Sequence, residues 1–345
     1  MPVLDHAPIA APTSTAQAPC FSVSSTTVRP PVDWDREVLE AGGTIFHSSA
    51  MGAAAIVRGQ EPWYLRVERD GRTVGLAVGA GIHTHSPILG RHHSVLEFPT
   101  MPRLNPDGGE TLANVVGAIR AYARAQGFER VRFSSHADVQ PDETPTLGPA
   151  GLALAPRFEF RVPLEACFEA TIAGMGAGHR RKTRKALRSG LEFIEDTSLA
   201  GAMTLRELQD VTYGRRHQHG NRSARAWAVE DYRIVMSAYL AQRAIRFWFV
   251  LRDGRPLSGA GVMMFGEQAY YLLAGTSREG YECDAAYAVI GHLIAYLTSQ
   301  GIRELNFGGM AVGTEEQGHI EHGLYRFKTG FGARVVRCYT ATGST

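Results

Sequence analysis

An internal duplication constrains the fold of this 345-residue chain more than any other feature of its sequence. Residues 63–78 and 247–262 each contain an apolar segment, an Arg-Asp-Gly-Arg turn and a second apolar segment. An Asp-Gly pair between apolar segments is a strong signal for a β-hairpin, because both residues tolerate positive φ angles. The equivalent turn residues Asp70 and Asp253 lie 183 positions apart. The sequence therefore predicts the same hairpin twice.

The duplication extends beyond the hairpins. Each is followed by more strand-like sequence and then by one predicted helix, which ends at Gly127 in the first copy and at Gly301 in the second. Glycine in this position is typical of a left-handed helix C-cap. A short apolar strand follows each helix. We therefore predict two tandem copies of one α/β unit (an α+β arrangement with mixed sheets), rather than a doubly wound parallel sheet.

The predicted domain limits follow from this repeat. Residues 1–31 are rich in Ala, Pro, Ser and Thr without any helical or strand period, and we interpret them as a flexible leader. The first unit is predicted to span residues 32–160 and the second residues 161–345. The second unit is expected to open with two helices, at about 200–218 and 229–244.

Composition excludes several classes of protein. A hydrophobic content of 44% is that of a globular chain. No apolar run approaches the ~18 residues of a membrane-spanning helix, and the N-terminus does not resemble a secretory signal. The four cysteines are scattered without a Cys-x-x-Cys pair. This spacing argues against a zinc site or a disulfide framework and favours the reducing cytoplasm.

Arginine far outnumbers lysine among the basic residues. The chain has 36 Lys and Arg residues against 34 acidic ones, and the lysines are Lys182, Lys185 and Lys328 alone. With a formal net charge of +2, contact with a nucleic acid has to come from a local patch. A lysine retained in an arginine-rich chain is notable, because its compact ammonium differs chemically from a guanidinium.

A basic helix is predicted at residues 179–188. No acidic residue occurs between Glu169 and Glu192, and helical spacing stacks the basic side chains on neighbouring faces, where like charges repel. This pattern favours a polyanionic partner, such as the phosphates of a nucleotide or an RNA. The alternative is a solvated helix face. The candidate phosphate-binding residues are Arg180, Arg181, Lys182, Arg184, Lys185 and Arg188.

Two other polar clusters are ambiguous. The basic stretch 213–222 is interpreted as the loop that ends the first helix of the second unit, with a binding loop and an ordinary surface loop equally acceptable. The histidines at positions 83, 85, 92 and 93 have no cysteine or carboxylate at a metal-binding spacing, so no metal is predicted. The sequence also lacks a Gly-x-Ser-x-Gly nucleophile elbow and a phosphate-binding P-loop.

The C-terminal segment is the most distinctive. A predicted strand ends in Gly308-Gly309, where the backbone can approach a ligand closely. Lys328 then lies between Phe327 and Phe331 in an aromatic, glycine-rich run. A partly desolvated lysine would act strongly on a nearby oxyanion. On local sequence alone, however, the better interpretation is that the aromatic residues are core and that Lys328 extends to water.

Three segments of the second half resemble the FemABX family of aminoacyl-tRNA-dependent transferases, which are built from twin GNAT-like domains. The basic segment 180–190 is similar to the family's R-K-x-x-R-K-A-x-x-x-G stretch, and residues 270–277 are similar to its Y-Y-L-x-G-S strand. Residues 306–309 with 323–332 are similar to its D-F-G-G and G-L-x-x-F-K-x-x-F-G ending. Asn306 stands where the family usually has Asp, and the chain has no room for the coiled-coil arm of some members.

The resemblance implies two GNAT-like domains and transfer of an aminoacyl group from tRNA to an amine, either a peptidoglycan precursor or a small natural-product amine. No cofactor or metal is implied, and aminoacyl-tRNA is the co-substrate. Phe327 would contact the terminal adenosine and Lys328 would stabilise the tetrahedral oxyanion. The basic helix would hold RNA or substrate phosphates. The implied substrate-binding residues are Tyr270, Tyr271, Asn306, Tyr325 and Arg326. Strand alternation permits only one of the two adjacent tyrosines to face the acceptor pocket.

Two other functions compete with this one. An acyl-CoA-dependent N-acyltransferase of the same fold, which would use acetyl-CoA, normally needs a Gln/Arg-x-x-Gly-x-Gly/Ala loop to hold the pyrophosphate at a helix start. Neither residues 276–284 nor residues 104–110 have that spacing. A non-catalytic RNA-binding protein would explain the basic helix but gives no role to Lys328, and the near-neutral net charge disfavours it.

Overall fold

The computed structural model describes residues 21–86, 91–221 and 226–345, without the side chains of residues 85, 86, 91 and 92. The first 20 residues of the predicted leader, including Cys20, lie outside this description, as do Arg222 and the side chains of His85 and His92. Residues Phe21–Thr26, which we had predicted as part of the leader, form a strand that pairs with Tyr64–Arg69. Its apolar side chains pack on the core of the first unit, which explains the difference.

The strands in chain order are β1 Phe21–Thr26, β2 Glu61–Arg69, β3 Arg72–Ser86, β4 Arg91–Phe98, β5 Arg103–Leu104, β6 Arg130–Phe133, β7 Ala153–Pro163, β8 Glu192–Asp196, β9 Ile245–Arg252, β10 Arg255–Phe265, β11 Gln268–Thr276, β12 Glu304–Ala311 and β13 Arg334–Ser344. The helices are α1 Trp34–Glu40, α2 Ser49–Val57, α3 Leu112–Ala125, α4 Phe168–Ala173, α5 Ala177–Leu187, α6 Leu199–Gln218, α7 Val229–Ala241, α8 Arg278–Glu282, α9 Ala285–Ser299 and α10 His322–Gly330.

Both predicted hairpins are present. Asp70 and Gly71 have φ angles of 51° and 74°, and Asp253 and Gly254 have 50° and 72°. Two successive positive φ angles are the signature of the type I′ turn, whose twist matches that of the strands it joins. The helices α3 and α9 follow at equivalent places, and the glycines after them have the predicted left-handed conformation. The two helices α6 and α7 also lie where the sequence predicted them.

The strands form a single mixed sheet with the order β1-β2-β3-β4-β6-β13-β7-β12-β11-β10-β9-β8, with β5 paired to β3. Read from its two ends towards the centre, this order is symmetric. Among the described strands, β4 with β6 and β11 with β12 are the parallel pairs, at equivalent places in the two halves. The predicted mixed α/β class with two tandem units is confirmed.

The two units exchange their last strands at the centre of the sheet. β7 ends the first half of the chain but pairs with β12 of the second half. β13 ends the second half but pairs with β6 of the first. The predicted boundary at residue 160 therefore falls inside β7, and the spatial units differ from the ranges 32–160 and 161–345. The exchange was not predicted, because strand pairing over such distances leaves no local sequence signal.

Candidate functional site

Strands β11 and β12 run side by side for a short stretch and then separate, which opens a gap in the second half of the sheet. They are paired from Gln268 to Tyr270, opposite Glu304 to Asn306. The pairing of β12 with β7 is irregular between Asn306 and Gly309, and Gly308 has a φ of 69°. This left-handed conformation favours glycine, so the Gly pair allows the strand to bend away here.

Lys328 of α10 extends into this bend. Its Nζ donates long hydrogen bonds to the carbonyl oxygens of Gly308, at 3.5 Å, and Gly309, at 3.4 Å. The same Nζ lies 5.1 Å from the centre of the Phe160 ring. The ammonium is thus held by two backbone dipoles and an aromatic face, and it does not extend to water as the local sequence suggested. Aromatic neighbours remove solvent from it, as required for strong action on an oxyanion.

The surroundings of Lys328 shift its protonation into the physiological range. Burial lowers the pKa of Lys328 to about 7, and the positive charges of Arg216 and Arg157 act in the same direction. Glu159 and Glu321 oppose the shift. A lysine with a pKa near 7 can both carry a charge and release a proton at neutral pH.

Replacing Lys328 with methionine should stabilise the fold. In the unfolded chain the Lys328 ammonium is solvated. Between about pH 7 and 10 the unfolded state therefore binds more protons than the folded state, and the stability of the wild type rises with pH. Below pH 7 the folded state carries the desolvated charge. We expect Lys328→Met to raise the free energy of unfolding at pH 6 by about 1–4 kcal/mol, and by less at pH 9. Urea denaturation at both pH values measures this, and a less stable variant at pH 6 would contradict it.

A buried carboxylate lies on the other side of the same strands. Glu159 of β7 is 0% exposed, and its Oε1 accepts a hydrogen bond of 2.9 Å from the N–H of Ala137 in the first unit. Its Oε2 accepts one of 2.9 Å from Asn306 Nδ2 and one of 3.3 Å from Arg161. A charge without solvent is tolerated only when its lone pairs are satisfied in this way. Glu159 therefore joins the two units at the centre of the sheet.

Arg157, two residues before Glu159, forms a second group of polar contacts. Its guanidinium donates a 3.2 Å hydrogen bond to Nδ1 of His136. Burial lowers the pKa of His136 to about 3, so the imidazole is neutral at physiological pH and accepts at this nitrogen. A Cβ at Gly309 would lie 1.7 Å from the guanidinium, so glycine there admits the arginine. Arg157, His136 and Glu159 were missed by the sequence interpretation.

Asn306 is enclosed within this polar group. Its side chain is 3% exposed, its Nδ2 donates to Glu159, and its Oδ1 accepts a 2.8 Å hydrogen bond from the N–H of Gly308. Both ends of the amide are engaged within the protein, which differs from the predicted substrate contact. The departure from the family's Asp also has a physical reason, because an Asp at 306 would place a second carboxylate against Glu159.

The adjacent tyrosines face opposite sides of the sheet, as strand alternation requires. Tyr270 is 6% exposed and packs edge-on against Phe46, with the ring centres 4.7 Å apart. A Cβ at Gly308 would lie 3.2 Å from the Tyr270 hydroxyl. Tyr271 packs against Phe307 on the other face, at 5.4 Å. Burial raises the pKa of both phenols. Tyr270 is thus the tyrosine next to the Gly pair.

The other candidates on α10 separate into two partly buried aromatic residues and one exposed arginine. Phe327 contacts Tyr287 at 5.4 Å and Phe331 at 5.0 Å between ring centres, both edge-on. Tyr325 packs on Phe160 at 5.5 Å. Arg326 points to solvent. Phe327 and Lys328 therefore emerge from one aromatic group, whereas Arg326 is free to meet a ligand.

The basic helix α5 packs directly on α10. His179 is 6.0 Å from Phe327 and 4.9 Å from Phe331 between ring centres, and the N–H of Gly176 donates to the carbonyl of Gly330 at 3.0 Å. Burial lowers the pKa of His179, so this imidazole is mostly neutral. The basic helix and the Phe-Lys helix, predicted separately from the sequence, are thus in direct contact.

The six basic residues of α5 and its C-cap are not equivalent. Lys182 pairs with Asp284 at 3.1 Å and Arg184 with Glu169 at 2.7 Å. Arg180 donates to the carbonyl of Ala173 at 3.0 Å. The remaining three have no acidic partner within the described ranges and are exposed, and they form what we call the free basic face: Arg181, Lys185 and Arg188.

The other polar stretches do not complete a second site. The basic stretch predicted as a loop is mostly the last turns of α6, in which Arg215 lies 4.2 Å from the ring centre of Tyr281. Of the histidines in the first unit, His93 is 3.3 Å from Glu129 and His83 stacks on Phe128 at 5.5 Å. The described residues contain no group of three potential metal ligands.

Of the two helix starts that could hold a pyrophosphate, α3 has a carboxylate of the protein in the place of the anion, whereas the Asp284 side chain at α9 makes no capping hydrogen bond. At α3, Glu143 accepts from the N–H of Leu112 at 3.3 Å, and Thr111 accepts from that of Asn114 at 3.2 Å. At α9, the N-cap residue is Asp284, with a φ of 58° and its carboxylate paired with Lys182. A carboxylate at a helix N-terminus takes the position favoured for an external anion.

This arrangement agrees with known folds. Residues 176–329 match the family profile described as an acetyltransferase (GNAT) domain. FemX is similar over 92% of this chain and 96% of its own, with a TM-score of 0.70 and 14% identity. A tandem GNAT protein from the clavulanic acid biosynthesis pathway covers 94% of this chain and 98% of its own, with a TM-score of 0.51 and 11% identity. This chain has a tandem GNAT fold.

Two further comparisons bear on this tandem GNAT protein. L-PGS from Bacillus licheniformis is similar over 91% of both chains, with a TM-score of 0.54 and 17% identity. Curated proteins give no match to the sequence. The predicted architecture of two tandem GNAT-like domains is confirmed. Among the described residues, no helix is long and apolar enough to cross a membrane.

Proposed function

We propose that this tandem GNAT protein is an acyltransferase that moves an aminoacyl group from tRNA to an amine. The observation that carries the proposal is Lys328, a desolvated ammonium held on the Gly308 and Gly309 carbonyls beside an aromatic and basic surface. The similarity to FemX and L-PGS in fold, and the GNAT profile over residues 176–329, support the acyltransferase class.

The reaction is fully balanced without a nucleotide or a metal. The acceptor nitrogen attacks the ester carbonyl carbon of the aminoacyl-tRNA, and a C–N bond forms while the carbonyl oxygen becomes an oxyanion. The intermediate then breaks its C–O bond to the ribose, and the proton lost by the nitrogen ends on the ribose oxygen. Because the ester is already activated, the protein has to orient the amine, stabilise the oxyanion and protonate the leaving group.

Lys328 is suited to the last two tasks. As an ammonium in a site with little water it stabilises the oxyanion more strongly than an exposed cation would. With a pKa of about 7 it also gives up a proton to the departing ribose oxygen more readily than an ordinary lysine. Phe327, the preceding residue of α10, supplies an aromatic surface for the terminal adenosine, and base–aromatic stacking tolerates any base.

The basic residues supply the RNA contact in this proposal. Helix α5 packs on α10 through His179, and its free basic face is on the opposite, exposed side. We propose that tRNA phosphates further from the 3′ end meet Arg181, Lys185 and Arg188 while the ester reaches Lys328. Lys182 is paired and contributes instead to the position of α9. The acceptor is an amine, either a peptidoglycan precursor or a small natural-product amine, and the proposed compartment is the cytoplasm.

The competing acyl-CoA function is disfavoured by the helix starts. At α3 the Glu143 carboxylate accepts the N–H of Leu112, where a coenzyme A pyrophosphate would have to bind, and at α9 the Asp284 carboxylate is paired with Lys182 next to the helix start. Displacing either carboxylate would leave its partner unpaired, and bringing a pyrophosphate beside it would add repulsion. The geometry therefore supports an aminoacyl ester as the donor, bound at a surface other than these helix starts.

The proposal predicts a product that depends on intact RNA. Purified protein, a mixture of charged tRNAs and a panel of amines should give amide products by mass spectrometry. Digesting the tRNA with RNase beforehand should abolish them, whereas adding acetyl-CoA in place of tRNA should give none. Transfer that survives RNase and requires acetyl-CoA would reject the tRNA function and establish the acyl-CoA alternative.

A further inference from the structure

We propose that Asn306 and Glu159 are positioning residues that set the place of the Lys328 ammonium. This inference rests on the proposed function for its effect on transfer, but the arrangement itself can be tested without any substrate. Both side chains are buried, and neither belongs to the residues proposed to bind RNA.

The buried Glu159 carboxylate is the fixed part of this arrangement. Glu159 is 0% exposed and is fixed from the first unit by the N–H of Ala137, at 2.9 Å, and from its own strand by Arg161, at 3.3 Å. Its carboxylate has to accept hydrogen bonds, because it carries charge in a site without water. The Asn306 Nδ2 donor at 2.9 Å meets this requirement and is thereby held in one orientation.

Asn306 in turn holds the bend of β12. With Nδ2 directed at Glu159, the Oδ1 atom of Asn306 is directed at the N–H of Gly308, which it accepts at 2.8 Å. This contact replaces a ladder hydrogen bond at the place where the pairing of β12 with β7 becomes irregular. It therefore holds the left-handed Gly308 peptide, whose φ is 69°.

The bend of β12 in turn determines where the Lys328 ammonium lies. The carbonyls of Gly308 and Gly309 are the hydrogen-bond acceptors of Lys328 Nζ. A shift of these two peptides moves the ammonium, because they accept its hydrogen bonds, whereas the Phe160 ring contacts it only through its face at 5.1 Å. Misplacing a charge that must meet a developing oxyanion lowers the rate of the chemical step more than it lowers substrate affinity.

A reversal of the hydrogen bond provides the sharpest test. Asn306→Asp keeps the acceptor for Gly308 but replaces the donor to Glu159 by a second carboxylate. Adding Glu159→Gln restores the donor and acceptor pair between positions 159 and 306 in the opposite order and leaves the Gln oxygen available to Ala137, at the loss of the 3.3 Å contact from Arg161. We expect kcat for transfer to fall about tenfold in Asn306→Asp with KM for charged tRNA unchanged, and to recover to within about threefold of wild type in the double variant.

Lysine NMR gives a readout that does not depend on activity. The sequence has three lysines, so 13Cε-lysine labelling gives three resonances, which Lys182→Arg and Lys185→Arg assign. The Lys328 titration should move to higher pH in Asn306→Asp and return in the double variant. If Asn306→Asp does not fold, Asn306→Ala tests the same loss of donor without a second carboxylate, and a displaced Lys328 resonance is again expected.

The outcomes separate this inference from the proposed function. A double variant that stays as slow as Asn306→Asp, or a Lys328 resonance that is the same in every folded variant, overturns the positioning role. If wild type transfers nothing from tRNA but the Lys328 resonance responds to the reversal, the arrangement stands and the proposed function fails.

Discussion

Lys328→Ala is expected to lower the rate of aminoacyl transfer by on the order of 10²-fold or more. The variant removes the cation that lies on the Gly308 and Gly309 carbonyls, and no other lysine of the chain lies on α10. The fold should survive, since the loss of a desolvated charge offsets the loss of packing. Single-turnover transfer from charged tRNA, followed by mass spectrometry, gives the rate of the chemical step.

The pH dependence of kcat/KM tests whether the lower transfer rate of Lys328→Ala comes from the loss of the ammonium. If the ammonium is the active form, kcat/KM for charged tRNA in the wild type should fall as the pH rises through about 7, the pKa of Lys328 in the free protein. Lys328→Ala should lack this alkaline decrease. Arg124→Ala, an exposed position on α3, serves as the matched control and should behave as wild type. An unchanged transfer rate in Lys328→Ala would exclude the catalytic role.

Neutralising the free basic face is expected to weaken tRNA binding by on the order of 10²-fold. The triple variant Arg181→Gln, Lys185→Gln, Arg188→Gln removes the exposed α5 cations that lack an acidic partner among the described residues. Each lost phosphate contact lowers the slope of log affinity against log salt by about 0.7–0.9, so the slope should decrease by roughly 2–3. Fluorescence anisotropy with labelled tRNA at several salt concentrations measures both quantities.

The control for this variant has to change the net charge equally. Arg72→Gln, Arg124→Gln and Arg130→Gln together remove three exposed cations from the first unit, away from α5. If the control weakens binding as much as the α5 variant, the attraction is general rather than local. Binding that does not respond to salt in the wild type would remove α5 from the RNA contact altogether.

The sequence predicted those features that short segments determine by themselves. The Asp-Gly turns at Asp70 and Asp253 require consecutive positive φ angles that few residue pairs adopt, so they locate the hairpins without reference to the rest of the chain. The same holds for the glycines that end α3 and α9. From these turns and caps, the twin architecture followed.

The polar centre of the site was not predictable in this way. Arg157, Glu159 and Arg161 alternate with phenylalanines, a pattern typical of a strand with one face in water. This face is instead covered where the two units meet, and Ala137 of the first unit and Asn306 of the second donate hydrogen bonds to Glu159. Likewise, tertiary packing rather than propensity determines that the glycine-rich segment around Lys328 is helical, and so brings its ammonium to the Gly pair.

The exchange of β7 and β13 has a consequence for how the protein is made. Residue Phe133 of β6 pairs with Ala341 of β13, which is synthesised 208 positions later. Until then, β6 of the nascent first unit presents an open strand edge, and such edges are sites of mispairing and aggregation. Pairing across so long a separation is also intrinsically slow. The two units therefore mature together after translation of β13, and a chaperone that shields the β6 edge should raise the yield of native protein.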